Sequence, residues 1–132
     1  MVGTAGLHEK EAYQIRETAF HRHVKLLFFK QPGRPVPYLV YLHLRKVYKE
    51  IYYFSNKREC DFVVFNKAAI QEVVQVCFDL NSDNLDRELD GVLEALAFFN
   101  KKEGKIITFR QKDHFEKDGR IIEVIPCHDF LQ

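Results

Sequence analysis

No apolar run in this chain approaches the ~18 residues that a membrane-spanning helix requires; runs such as residues 26–29 (LLFF) are short patches. The N-terminus lacks the basic-then-apolar layout of a signal peptide. Cysteine is scarce: Cys60, Cys77 and Cys127 lie in or beside apolar runs, with no C-x-x-C spacing. An odd count at strand-like positions predicts reduced, buried thiols in a cytoplasmic protein, and excludes a disulfide framework or a zinc site. There is no G-x-x-x-x-G-K-[ST], so the chain cannot bind ATP in the P-loop manner. Nor is there an excess of charge of one sign. The formal net charge is +1, which gives no whole-molecule attraction to nucleic acid.

What is present is enough for one packed domain. The chain has 132 residues, 46% of them hydrophobic and twelve of them Phe, which predicts a globule around a single core. Charge is unevenly spread: residues 1–66 carry eleven Lys/Arg against six Asp/Glu, and residues 67–132 carry nine against thirteen. Solvated faces explain such asymmetry as readily as a binding surface does.

Residues 1–8 read as a frayed end. From Glu9 the pattern EKEAYQIRETAF admits a helix with Ala12, Ile15 and Ala19 on one face. Residues 31–37 (QPGRPVP) suit neither a helix nor a central strand. Residues 1–37 are therefore expected to form an N-terminal extension or linker, partly helical, and residues 38–132 the folded domain.

That domain opens with a helix over residues 38–48, where Val40, Leu44 and Val47 recur at helical spacing and Arg45, Lys46 and Lys49 gather towards the C-terminal end. Alternation in Leu42-His43-Leu44 fits a strand equally well. Residues 50–80 then read as three strands separated by two polar turns, residues 55–58 and 66–68. The clearest helix comes next, with Leu85, Leu89, Val92, Leu93, Leu96 and Phe99 on one stripe. Asn81 or Ser82 is the expected cap, Gly104 the expected stop, and Gly91 the expected point of close approach to the sheet. Two more strands, over residues 105–109 and 120–125, flank a charged loop at residues 111–117 and an Asp118-Gly119 turn. The helical crossover predicts that the third and fourth strands are parallel.

One residue breaks the strand pattern. Asp61 directly precedes Phe62-Val63-Val64-Phe65, and a carboxylate there demands a hydrogen-bonding partner, a cation or a metal. The string ECDFVV at residues 59–64, followed by VVQVCFDL at residues 73–80, resembles the C-terminal domain of a large family of bacterial and archaeal AAA+ ATPases, a domain of unknown function. That domain is similar to the restriction-endonuclease-like core, whose signature is PD-(D/E)-x-K. The resemblance spans about residues 39–131. It implies an α/β, restriction-endonuclease-like mixed β-sheet flanked by helices, with Asp61 at the Asp position, Gln75 at the acid position and Cys77 at the Lys position. A further family acid, on the helix entering the sheet, falls at Pro37, with Tyr38 at the adjoining Asn. Because relatives carry the ATPase upstream, the chain reads as a C-terminal piece of a longer protein.

Phosphodiester hydrolysis at such a site needs Mg2+ or Mn2+ held by two or more carboxylate oxygens, and a Lys to stabilise developing charge. Asp61 offers one carboxylate, and Glu59, two residues along the strand, is the candidate second metal ligand. Gln75 offers a neutral oxygen and Cys77 no positive charge. The resulting expectation is a catalytically degenerate accessory domain of an AAA+ ATPase that works by binding DNA or a partner protein. Two alternatives stand beside it: an active Mg2+- or Mn2+-dependent nuclease rearranged around Asp61, Glu59 and Gln75, with Glu72 near by; and a protein–protein docking module. Arg45, Lys46, Lys49, Lys57 and Arg58, interleaved with Tyr48, Tyr52 and Tyr53, form the candidate nucleic-acid surface.

The bland readings of the same residues are concrete. Asp61 is a structural carboxylate bonded to a turn or to Arg58, Gln75 an amide bonded to Asp61, and Cys77 a small buried side chain. The tyrosines then line the core edge and the cations are solvated. His21 and His23 lack a third ligand, and His43 is a helix-surface residue.

Overall fold

The computed structural model describes residues 15–17 and 36–132. In chain order the elements are β1 (Ile15–Glu17), α1 (Val36–Val47), β2 (Glu50–Ser55), β3 (Glu59–Asn66), β4 (Ala69–Val76), α2 (Leu85–Phe98), β5 (Glu103–Thr108), β6 (Asp113–Lys117), β7 (Arg120–Pro126) and α3 (Cys127–Phe130). The strands form one seven-stranded sheet in the order β1-β2-β3-β4-β5-β7-β6. The fold is the expected α/β arrangement, a mixed sheet flanked by helices.

β2, β3 and β4 are an antiparallel meander. β3 is buried at six consecutive positions, from Cys60 to Phe65, because both faces of the central sheet are covered. The β3–β4 hairpin pairs Asn66 with Ala69 across Lys67 and Ala68, which both have positive φ (52° and 69°). That geometry matches the sheet twist but is unfavourable for residues other than Gly or Asn. A carboxylate oxygen of Glu50 accepts the Lys67 N–H at 3.0 Å and helps to hold the turn.

On one face α2 covers Phe54, Cys60, Val63, Phe65, Val73, Ile106, Ile122 and Val124 with Val92, Ala95 and Leu96. On the other, α1 and α3 contribute Val36, Val40, Tyr41, Leu44 and Cys127 over Ile51, Phe62, Val64, Val74, Val76 and Ile107. All three cysteines are free and buried, as their placement in apolar runs predicts.

Several local expectations are corrected. Ile15–Glu17 is not helical but a strand antiparallel to β2, with Ile15 opposite Phe54. The edge of β2 offers unpaired backbone groups, and a pairing partner there outweighs a short helical period. The remainder of that expected helix, the QPGRP stretch, His21 and His23 lie outside the described residues. The linker does not reach residue 37: α1 begins at Val36, and Pro37 sits in its first turn, where a missing N–H breaks no helical hydrogen bond.

Gly104 does not stop α2. The stop is Asn100, with φ 52°: its N–H donates to the Ala97 carbonyl at 3.3 Å and the Lys101 N–H to the Leu96 carbonyl at 2.9 Å. Gly104 instead lies buried in β5 against Val92 and Leu96. At the other end the N-cap is Asn84, not Asn81 or Ser82, and its side chain makes no capping hydrogen bond; Asn81 acts one turn earlier. Its side-chain oxygen accepts the N–H groups of Asp83 (2.9 Å) and Asn84 (3.1 Å), in the turn that leads into Leu85.

The charged loop after β5 contains β6, an edge strand paired antiparallel to β7 across Asp118 (φ 55°) and Gly119 (φ 76°). Its sequence, DHFEK, hides this because only Phe115 turns inward and the charges guard an open sheet edge. β4, β5 and β7 run parallel, as the crossover predicts for β4 and β5. Their C-terminal ends therefore share one end of the sheet with the β2–β3 turn.

Candidate functional site

Asp61 and Gln75 meet where β3 and β4 part at that end. Phe62 pairs with Val74, and beyond it side chains replace the ladder. The Gln75 Oε1 accepts the Asp61 backbone N–H at 2.9 Å, and its Nε2 donates to the Glu59 carbonyl at 3.1 Å. In return, the Asp61 carboxylate accepts the Val76 backbone N–H at 2.9 Å. Both side chains are buried, at 8% exposure for Asp61 and 5% for Gln75. Each strand thus lends one side chain to the other's backbone, which satisfies groups that would otherwise be buried without partners.

α2 closes over this junction at Gly91. A Cβ at that position would lie 2.4 Å from the Glu59 carbonyl oxygen and 2.9 Å from the Gln75 Nε2. Only glycine lets the helix come so close, and its cost in helix propensity, ~1 kcal/mol against Ala, is the condition for that contact. Gly91 is the expected point of close approach, and what it approaches is the candidate site itself.

Cys77 comes next, just past the end of β4. Its Sγ lies 3.5 Å from the Asp79 carbonyl, and the Asn84 side-chain amide donates to it at 3.6 Å. Burial pushes the Cys77 thiol up to about 12, and the carboxylates of Glu88 and Asp61 push in the same direction. Cys60 is driven higher still, first by burial and then by Asp61. Glu88, in the first turn of α2, was not foreseen from sequence; it lies one place beside the Leu85–Leu89 stripe, a position that reads as ordinary helix surface.

The other named residues fall elsewhere. Glu59 is exposed at the start of β3, and what the site uses of it is its carbonyl. Glu72 lies within β4, not before it, and belongs to the opposite sheet face. There it pairs with Lys105 Nζ at 2.6 Å, and the same Nζ lies 6.0 Å from the centre of the Phe130 ring. Lys57 and Arg58 are exposed in the β2–β3 turn. Their backbone N–H groups donate to the Glu94 carboxylate of α2, at 2.9 and 3.1 Å. His43 is half-buried, with its ring centre 5.0 Å from that of Phe130. Pro37 is buried in the first turn of α1, at the place where the family acid is expected. Among the described residues, no group of three or more His, Cys, Asp or Glu side chains is arranged to hold a metal ion.

The five candidate nucleic-acid-binding cations are all exposed but do not share one patch. Arg45, Lys46 and Lys49 precede β2, with an Arg45 guanidinium nitrogen bonded to the Lys49 carbonyl; Lys57 and Arg58 come after it. The length of β2 separates the two groups. Tyr52 is not available for stacking, because it is buried edge-on against Phe65 with ring centres 5.8 Å apart.

At the same end of the sheet, Leu80, Asn81, Leu85, Gln111, Phe115 and Val124, with Lys112 and Asp113, line a pocket of about 320 Å3. The outer ends of parallel strands are where open α/β sheets bind ligands. Nothing in the strand pattern of the sequence marked this place.

No protein-family model matches the chain, and no solved structure matches it. Among curated proteins, the uncharacterized protein MJ1544 of Methanocaldococcus jannaschii is 30% identical over 118 residues, covering 76% of this chain and 25% of its own. The chain thus spans about a quarter of the length of the curated relative it matches. Among the described residues, no helix is long and apolar enough to cross a membrane.

Proposed function

We propose that this chain is a non-catalytic, nuclease-like accessory domain of a larger ATPase, cytoplasmic, and that it acts by binding. The observation that carries this is the bonding of Gln75. At the position where the resemblance expects a metal-binding acid, the amide donates to one carbonyl and accepts from one N–H of the same neighbouring strand. A carboxylate cannot donate, so glutamine here is a bridge between strands and not a weakened metal ligand. Gly91 lets α2 close over it, and the thiol at the expected Lys position stays protonated and supplies no positive charge. That the chain matches a quarter of a longer relative supports its place as one domain among others.

The reading is tested by incubating labelled single- and double-stranded DNA with the protein and with Asp61→Ala in Mn2+ and in Mg2+. No difference between the two proteins is expected. Cleavage by the parent that disappears in the variant overturns the reading in favour of a rearranged, active site.

A further inference from the structure

The β5–β6 connection, residues 109–112, is built with unusual rigidity for an exposed loop. The Thr108 hydroxyl donates to the Gln111 carbonyl at 2.9 Å and accepts the Gln111 N–H at 2.8 Å. The Gln111 side chain accepts the Leu80 N–H at 2.7 Å and donates to the Leu80 carbonyl at 2.8 Å. The Phe109 N–H donates to the Phe78 carbonyl at 3.0 Å. Five hydrogen bonds thus fix the loop to itself and to the β4–α2 connection.

What this frame presents is an aromatic ring in solvent. Phe109, just past the end of β5, is 44% exposed. It stacks on Phe78 with ring centres 4.8 Å apart and planes 10° from parallel. The Arg110 guanidinium lies 5.0 Å from the Phe109 ring centre. Arg110 and Lys112 are exposed, and neither is in an ion pair among the described residues. The nearest acid in sequence, Asp113, turns a carboxylate oxygen to the His114 N–H at 2.8 Å. An aromatic ring carried on a hydrogen-bonded loop, with a guanidinium beside it and exposed cations in no ion pair, suits an unpaired base and its phosphates. Fixing the loop beforehand removes part of the ordering cost of binding.

We propose that this loop binds single-stranded nucleic acid, with one unpaired base stacking on the Phe109–Arg110 platform and Arg110 and Lys112 meeting the flanking phosphates. The proposal rests on the reading of the chain as a binding domain and names its ligand. Duplex nucleic acid is a poorer fit, because its bases already stack on one another and offer no free face.

The test is fluorescence anisotropy of a labelled oligothymidylate, and of a labelled duplex, titrated with the whole chain over a range of salt. Phe109→Ala is expected to weaken oligothymidylate binding about 5- to 150-fold, the range for one lost base–aromatic contact, while Phe109→Trp keeps it. Arg110→Gln and Lys112→Gln each lower the slope of log affinity against log salt by roughly 0.7. These exposed side chains should leave the circular dichroism spectrum and thermal midpoint in place. Parent protein that fails to bind oligothymidylate at low salt, or a folded Phe109→Ala that binds as tightly as the parent, overturns the proposal. Binding that survives Phe109→Ala but falls with Lys46→Glu/Lys49→Glu or Lys57→Glu/Arg58→Glu overturns this site and leaves the binding-domain reading standing. Cleavage in Mn2+ that depends on Asp61 retires that broader reading whatever the loop does.

Discussion

Asp61 and Gln75 stand on neighbouring strands and hold them together reciprocally: the Gln75 Oε1 takes the Asp61 N–H at 2.9 Å, and the Asp61 carboxylate takes the N–H of Val76 at 2.9 Å. The two buried polar side chains of this junction are thereby committed to backbone groups of the sheet.

Gln75→Glu distinguishes a bridge from a damaged metal site. The new carboxylate cannot donate to the Glu59 carbonyl, 3.1 Å from the present amide nitrogen, and faces its oxygen instead. A loss of about 1–3 kcal/mol is expected at neutral pH, as for a buried group left without its partner. Burial beside oxygens raises the folded-state pKa of the new acid above its unfolded value. The variant is therefore nearest to the parent in acid, where the neutral acid can donate, and the gap opens as the pH rises. Urea unfolding of both proteins at acid and neutral pH measures this. A variant as stable as the parent at neutral pH, or one that gains Mn2+-dependent cleavage, contradicts the bridge.

Gly91→Ala sets helix propensity against packing. Alanine favours the helix by ~1 kcal/mol, but its Cβ would lie 2.4 Å from the Glu59 carbonyl oxygen, a backbone atom of the central sheet. Overpacking of this kind costs about 1–3 kcal/mol, so net destabilisation is expected in thermal or urea melts. An increase in stability would mean that α2 slides away from the sheet without strain.

The thiols report on the same region. With Cys77 pushed up to about 12, roughly one molecule in ten thousand carries its thiolate at pH 8. Cys60 is higher still, and Cys127 is raised by burial. Iodoacetamide should leave Cys60 and Cys77 almost untouched in native protein, and label all three in denaturant. Rapid native labelling of Cys77 at pH 7 would reveal a reactive thiol beside Asp61 and Gln75.

His114 on the edge strand lies between two carboxylates, with Nε2 3.1 Å from Glu116 and Nδ1 2.6 Å from Glu123. Hydrogen bonds to Glu116 and Glu123 raise its pKa above the ordinary value of 6.5. The stabilisation is fully present below 6.5, where the unfolded-state histidine is also charged, and is lost as pH rises through the higher folded value. Proton NMR titration should place the His114 midpoint above 6.5. His114→Gln should flatten the pH dependence of stability in the window just above it. A midpoint at or below 6.5 removes the proposed interaction.

The strands around Asp61 were legible because burial on both faces leaves near-continuous runs such as Phe62-Val63-Val64-Phe65, and α2 because its stripe repeats over four turns. β1 and β6 were not. Three residues at one edge and a mostly charged strand at the other carry almost no apolar pattern, and both are strands because a neighbour offers hydrogen bonds. Pro37 shows the same limit, since a proline that would end a helix behind it can equally open one ahead of it.

The sequence by itself determined the order of the main elements, the burial of the cysteines, the need of Asp61 for a partner and the expectation of close packing at Gly91. These are local facts of periodicity, composition and chain chemistry. Only the tertiary structure decided that the partner of Asp61 is the Val76 backbone, that Gln75 spans to Asp61 and Glu59, and that Glu72 belongs to the other face. It also split the basic residues between the two ends of β2 and brought Phe78 under Phe109. Such pairings join residues 14 to 33 places apart in the chain, and register across strands, not spacing along them, sets which groups meet.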